Sequence, residues 1–478
     1  MIYFILLLGF IFRLILINQS FWLDEGASLV ISNRPFTDIF SYLSTDFHPP
    51  LHYLITHLTL ELGFRSEALL RLPNVIFGVL TIYFLYLLLE LLNHKATLKI
   101  FSRKIPHSLI AALFLSLNPL HIYYSQELRM YSLSALLVVL SWYLLALFIK
   151  TKRHLHLGVF TLVSTLSIYT FYGGFFNLFA QLVFIFISHR RLLVRFLSSL
   201  LVTLLLFLPW LPTLMLQFQG SAFLKSLPGW VEISGQLDLK SLLMIPAKFS
   251  FGRINFSASN SFLLSGAIVT LYYLSLVILS LKRPVSRLFL LWLVLPIITA
   301  AVLSLFSPML GYWRFIYLVP AFTTLMALGL LALPPRLAIF NLFVIISTSL
   351  LANLIFYITP SFHREDWRSA SQFALDQQQT RGAQPIFVFA DAFAPVLWYA
   401  PDLVYTAPLK DLNNDPVLLD QRLSDGTAGN SDILYFHYLA QMTDPGRNIP
   451  TWLDNAGYHL VTTYDFSGVG FVDHYTAK

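Results

Sequence analysis

The chain has no cysteine among its 478 residues, which excludes a disulfide framework, a thiolate metal site and a nucleophilic thiol. Charge is the second scarcity. Charged side chains make up only 12% of positions, against 57% apolar and 16% aromatic residues, a balance that describes a multi-span membrane protein rather than a soluble domain. No solenoid-type repeat and no low-complexity tract interrupts the chain. The first apolar run lacks a basic leading region and a small-residue cleavage site, so it is expected to be a retained first span rather than a signal peptide.

Against that apolar background, stretches able to cross a bilayer need about 20 residues each. They fall at 2–18, 73–92, 107–120, 131–149, 155–171, 174–188, 196–215, 261–281, 288–305, 315–333 and 337–358. About eleven transmembrane helices are therefore expected, the third and fifth being short. Basic residues collect in every second connection, among them Lys99, Arg103, Lys104, Lys152, Arg153, Arg190, Arg191, Lys282, Arg283 and Arg336. Lys and Arg mark the cytoplasmic side of short loops. The path then places residue 1 inside and segments 19–72, 216–260 and 306–314 outside.

The net charge of +7 is divided unevenly: residues 360–478 hold 7 basic and 14 acidic side chains, leaving 24 basic and 10 acidic ones before them. The inside loops account for most of the basic excess, so no nucleic-acid partner is expected. The chain divides near Thr359-Pro360 into a membrane module, 1–358, and an extracytoplasmic domain, 359–478. In the latter, helices are expected at Glu365 to Gln377 and Phe393 to Tyr399. Strands are expected at Pro385 to Phe389, Asp432 to Phe436 and His459 to Thr463, an alternation typical of a small α/β domain.

Polar residues gather in the outside loops. The first, 19–72, opens with Phe21-Trp22-Leu23-Asp24-Glu25 and continues through Asp38, Asp46, His48, Pro49, Pro50, His52, Tyr53, Glu67 and Arg71. Asp24 could serve as a general base on a hydroxyl, as a metal ligand, or as the N-cap of a helix beginning at Glu25 or Gly26, because Asp favours caps and Glu suits a first turn. Asp46 and His48 could hold a divalent metal, carboxylate and imidazole both suiting zinc or manganese. Polar contacts within a Pro-bracketed turn are the alternative. No other cofactor is required.

A second cluster runs from Asn118 to Tyr131 and includes Tyr124, Gln126, Glu127 and Arg129. Arginine can grip phosphate oxygens bidentately, although an internal Glu127-Arg129 pair would also explain the residues. Arg314, at the mouth of the tenth span, is either an anion site or an interfacial anchor. Arg13 lies within the first span, where it either snorkels to the interface or faces a polar cavity.

In their order, these pieces carry a resemblance. His48-Pro49-Pro50-Leu51-His52-Tyr53 resembles an HPPLYY-like segment, Glu67 to Pro73 an ALRLP segment, Asn118-Pro119 an NP pair, and Tyr124 to Ser132 a YSQEARMYS segment. Arg314-Phe315 stands where Arg-Tyr is common, and Glu365-Asp366-Trp367-Arg368 resembles a DWR segment after the membrane. The chain resembles the membrane glycosyltransferases of the protein O-mannosyltransferase and aminoarabinose-transferase superfamily over residues 1 to about 370. His52 and Phe315 replace tyrosines of that pattern.

The resemblance implies a GT-C fold and an inverting transfer of sugar from a polyprenyl-phosphate carrier to a hydroxyl of a protein, lipid or glycan, on the outer face of the cell membrane. Asp24 would be the base and Glu25 would orient acceptor or base. Arg129 and Arg314 would hold the donor phosphate. Asp46, His48, Tyr124, Gln126, Glu127 and Tyr131 would bind substrate. No glycine-rich phosphate loop follows a strand in any inside connection, in keeping with a lipid-linked rather than a nucleotide donor. A transporter or flippase of lipid-linked sugars is the alternative function, but such proteins place ionisable groups near the midplane. A receptor or scaffold acting through the acidic tail leaves the motifs of the first two outside loops without a purpose.

Overall fold

The computed structural model describes residues 1–92, 96–100, 103–224, 234–254, 260–388, 394–409 and 415–477. Each of the eleven apolar stretches lies on helix, and seven helices among the described residues are long and apolar enough to cross a membrane. These are Glu67–Leu91, Tyr131–Thr151, Arg190–Gly220, Leu263–Ser280, Ser286–Leu303, Tyr312–Leu330 and Pro335–Ile358. The other four stretches form shorter helices: Ile2–Leu14, His107–Leu117, His154–Thr170 and Gly173–Ser188. Thirteen residues in Ile2–Leu14 cover only about 20 Å at the α-helical rise.

The elements that build the site are α1 (Ile2–Leu14), α2 (Leu23–Ser32), α3 (Phe36–Tyr42), α4 (Leu51–Glu61), α5 (Glu67–Leu91), α6 (His107–Leu117), α7 (Pro119–Ser125) and α8 (Tyr131–Thr151). Two motifs have plain local reasons. Ser66 caps α5 by accepting from Leu69 N, with Glu67 in the first turn. Asn118 caps α7 by accepting from His121 N, and Pro119 occupies the first helical position, where its missing N–H costs nothing. The short connection before α6 forms a hairpin, β1 (Thr97–Ile100) against β2 (Arg103–Pro106), where only a basic loop was expected.

Arg13 neither snorkels nor opens onto a cavity. It is fully buried and donates to Gly9 O at 2.7 Å, Ser116 O at 3.2 Å and Ser125 Oγ at 3.2 Å, with His121 Nδ1 2.8 Å from its Nη2. A guanidinium cannot accept, so His121 Nδ1 does, and α1 is tied to α6 and α7 by one side chain. Gly78 makes room for it: a Cβ there would collide with Ser125 and come 3.0 Å from Arg13 Nε.

Beyond Ile358 the chain forms a sheet in the order β3-β4-β6-β5, with β3 (Gln384–Phe387), β4 (Asp432–Phe436), β5 (Tyr458–Phe466) and β6 (Gly470–Ala477). β3 and β4 are parallel, and β6 runs antiparallel to both its neighbours. The sheet contains one strand, β6, that the sequence reading omitted. The first helix of this domain begins at Trp367, later than expected, because Asp366 caps it by accepting from Ser369 N. Phe389 and Phe393, the ends of an expected strand and helix, lie outside the described residues. Trp367, Phe387, Leu434 and Phe436 centre one apolar cluster, and Ile386, Ile433, Tyr435 and Leu453 another.

Candidate active site

Asp24 is not a helix cap. The helix α2 already begins at Leu23, with Trp22 as N-cap, and Glu25 accepts from Trp22 N at 3.4 Å. Asp24 therefore sits inside the first turn, where an anion is favoured by the helix dipole. Its side chain is 39% exposed, so it can meet a ligand from outside.

Behind Asp24 stands Arg129, whose Nη2 is 3.8 Å from Asp24 Oδ2 and whose side chain is only 6% exposed. Its Nη1 donates to Ser28 Oγ at 3.0 Å and to Asp24 O at 3.4 Å, fixing the guanidinium to α2. Arg129 Nη2 also lies 3.4 Å from His48 Nε2. Since the guanidinium only donates, His48 Nε2 accepts and its ring proton sits on Nδ1, which faces Asp46 Oδ2 at 3.7 Å. Burial first, and then Arg129, hold His48 below its usual range against the pull of Asp46, so the ring is neutral. Tyr53 donates to Asp46 Oδ2 at 2.5 Å and completes the chain. Burial raises the Asp46 carboxyl, but the facing His48 ring, with Arg129 and the Tyr53 hydroxyl, brings it well below the carboxylate range.

Asp24, Asp46, His48 and Arg129 thus lie together. The metal alternative at Asp46 and His48 fits poorly: the described residues hold no group of three or more His, Asp or Glu that could ligate an ion, and a guanidinium contacts the imidazole.

Of the two roles expected for Glu25, orienting acceptor or base, its burial leaves only a contact through the helix that carries Asp24. Glu25 is fully buried, and its carboxylate receives Arg71 Nε at 2.8 Å, Arg71 Nη2 at 2.5 Å and Leu128 N at 2.7 Å. Arg71 also donates to the carbonyls of Ile17, Gln19 and Ser20. Desolvation pushes the Glu25 carboxyl up, but Arg71 and then Arg364, 4.0 Å away, outweigh it and leave it low. The pair stitches α2 to α5 and to the chain around Leu128.

Gln126 and Glu127 are likewise engaged within the protein. Gln126 Nε2 donates to the carbonyls of Arg13 and Ile15 at the end of α1. Glu127 pairs with Arg364 at 3.0 Å, not with Arg129. Burial pushes its carboxyl up against the pull of Arg364. Tyr124 and Tyr131 stack edge to face at 4.9 Å, and Tyr131 lies within electrostatic range of both Arg129 and Arg314. Arg314 donates to Ser234 O at 2.6 Å and Pro308 O at 3.2 Å, and packs on Trp313.

Four residues escaped the sequence reading as site groups. Arg364 places its guanidinium 4.5 Å from the centre of the Tyr123 ring, and Arg253 approaches the same ring at 4.9 Å. Arg253 Nη1 donates to Tyr123 OH at 2.8 Å, while Lys248 Nζ donates to Ile254 O at 3.1 Å. Desolvation, then Arg253, pull Lys248 down to about 7. Glu365 reaches α2 from the C-terminal domain. Two basic residues bracketing Phe249 and Phe251 in an outside loop were the available signal for Lys248 and Arg253.

The fold is of the GT-C type, the architecture of the polytopic membrane enzymes to which the chain is similar. The family model for dolichyl-phosphate-mannose-protein mannosyltransferases matches residues 47–214. ArnT from Cupriavidus metallidurans, in the apo state, is similar at 15% identity and TM-score 0.56, over 98% of this chain and 96% of its own. The same protein bound to undecaprenyl phosphate gives 15% identity and 0.55, over 99% and 96%. The archaeal oligosaccharyltransferase AglB from Archaeoglobus fulgidus, in complex with an inhibitory peptide and a dolichol-phosphate, gives 12% identity and 0.55, over 100% of this chain and 74% of its own. Comparison with curated proteins gives no match. At these identities the solved structures establish the fold.

Proposed function

We propose that this protein is an inverting glycosyltransferase that moves a sugar from a polyprenyl-phosphate donor to an acceptor hydroxyl on the extracytoplasmic face of the cell membrane. The observation that carries the reading is Asp24, half exposed and poised on a helix turn against a buried guanidinium. A base and a cation side by side suit a displacement in which a hydroxyl loses a proton while a phosphate leaves with more negative charge. Loop charge supports the outer-face orientation. Similar folds hold undecaprenyl phosphate and dolichol-phosphate, which supports a lipid-linked donor.

In this reading the acceptor hydroxyl approaches Asp24, its proton passes to that carboxylate, and its oxygen attacks the anomeric carbon opposite the phosphate. The bond to phosphate breaks as the new glycosidic bond forms, and the polyprenyl phosphate departs. Arg129 stabilises the leaving phosphate. Neutral His48, backed by Asp46 and Tyr53, keeps Arg129 in place. Arg314 contributes to the same phosphate from across Tyr131, and Tyr124 and Tyr131 pack against the sugar. Glu25 acts through Arg71 on the position of α2 rather than on substrate. The carrier chain lies in the bilayer, where each buried CH₂ contributes about 0.8 kcal/mol.

Titration with a polyprenyl-phosphate sugar tests the phosphate assignment. The Arg129→Ala protein should bind this donor at least about tenfold more weakly and transfer more slowly, since a charge-assisted phosphate contact contributes about 1.5–3 kcal/mol. Unchanged donor affinity removes Arg129 from the phosphate site.

A further inference from the structure

The start of the C-terminal domain grips the helix that carries Asp24. Glu365 Oε2 accepts from Leu23 N, one residue before Asp24, at 3.2 Å. Its other donors belong to its own domain: Trp367 Nε1 at 2.8 Å and Tyr438 OH at 2.9 Å. Trp367 is fully buried in that domain, stacked parallel to Phe436 and edge-on to Tyr438. Oε2 thus joins the sheet domain's core, through Trp367, to the first turn of α2, which it caps and whose dipole suits its charge, while Tyr438 holds Oε1.

Four more contacts run alongside. Tyr399 OH accepts from Phe21 N at 2.8 Å and donates to Glu67 at 2.7 Å. Arg368 pairs with the same Glu67 at 2.6 Å. Gly26 lies so near the helix Ala394–Tyr399 that a Cβ would sit 2.5 Å from Pro395 N and 2.7 Å from its ring. Adjacent backbones meet there with nothing between.

We propose that the C-terminal domain is a working part of the transfer site, and that Glu365 is the positioning residue that fixes the first turn of α2 and with it the reach of Asp24. The proposal rests on Asp24 being the base. It concerns placement alone: Glu365 touches no reacting atom. A misplacement of 1 Å can cost about a hundredfold in rate while leaving the donor's binding groups in place. The phosphate-facing Arg129 comes from a different segment and is braced by His48 as well as by α2, so a shift of the first turn should cost more in rate than in donor affinity.

Steady-state transfer, donor affinity and thermal midpoint should be measured on the full-length Glu365→Ala protein. The expected result is a fall in kcat of about tenfold or more, with donor affinity and midpoint close to those of the unaltered protein. Glu365→Gln keeps an oxygen that can accept from Leu23 N and should recover most of the rate. Combining Glu365→Ala with Asp24→Asn should be no slower than Asp24→Asn alone, because a misplaced base matters only while there is a base. If Glu365→Ala does not fold, Gly26→Ala offers a second route, since it wedges α2 from Pro395 and should produce the same loss confined to kcat.

An unchanged kcat in the folded Glu365→Ala protein overturns the proposal, as does a double variant slowed by the full product of the two single effects. If Asp24→Asn turns over normally, the base assignment falls and this proposal with it. If Asp24→Asn is slow while Glu365→Ala is unaffected, only the proposal falls.

Discussion

Replacing Asp24 with Asn should lower turnover by at least about a hundredfold while leaving donor affinity and fold intact. The substitution keeps the shape of a side chain that is only partly buried, and it breaks no close hydrogen bond: the nearest charged partner, Arg129 Nη2, is 3.8 Å away. What it removes is the ability to take a proton. Arg129 keeps its contacts to Ser28 and to the Asp24 backbone, so the phosphate site survives the change. The check is kcat and donor dissociation constant measured on the same preparation. Near-normal turnover removes Asp24 as the base. A loss of donor affinity equal to the loss of rate would mean that the carboxylate binds rather than catalyses.

Arg71→Ala should be the most destabilising change at the site, by about 3–5 kcal/mol, the range seen when one partner of a buried ion pair is removed. Both side chains of the Arg71-Glu25 pair are fully buried. Removing Arg71 also strips donors from the carbonyls of Ile17, Gln19 and Ser20. Arg364, 4.0 Å from Glu25, compensates only in part. Lysine cannot restore the two-pronged contact, so Arg71→Lys should remain well below the unaltered protein.

The pair also sets a pH dependence. Glu25 has its carboxyl lowered in the folded protein, so its contribution to stability is present above the unfolded value, about 4.3, and is lost as pH falls through the folded one. Thermal midpoints in detergent from neutral to acid pH measure this. The unaltered protein should lose midpoint steadily over that acid range, and Arg71→Ala should start lower and lose less. A midpoint for Arg71→Ala equal to that of the unaltered protein contradicts the structural role of the pair.

The membrane helices were legible because hydropathy alone decides whether a segment can lie in lipid, and every apolar stretch proved helical. Their lengths were not legible. Ile2–Leu14 stops short of the run that marks it, and Arg13 lies within it, satisfied by α6 and α7 partners more than a hundred residues away in sequence. The strand β6 was missed because its alternation, Phe471 to Ala477, is interrupted by polar groups, two of which, Asp473 and His474, bond His437 and Asp432.

At the site, the Asp24-Glu25 doublet was visible, but its division of labour was not. Neighbours on a helix point about 100° apart, so one can face solvent while the other is buried. Which is which depends on Arg71, brought to Glu25 by α5, and on Arg364, brought by the C-terminal domain. The partners of Glu127 and Gln126 are similarly remote, which is why residues read as a binding surface turn out to hold α1 and Arg364. Residue type carried the chemistry, whereas long-range pairing assigned it.

In the proposed reaction a sugar leaves a polyprenyl phosphate and joins a hydroxyl. The direct measurement supplies the purified protein in liposomes with a panel of labelled polyprenyl-phosphate sugars and membrane extract, following released polyprenyl phosphate and labelled acceptor together. At least one donor should release polyprenyl phosphate in step with label appearing on an acceptor. Label crossing the bilayer still attached to its lipid, with no polyprenyl phosphate released from any donor, would contradict the account and identify a transporter.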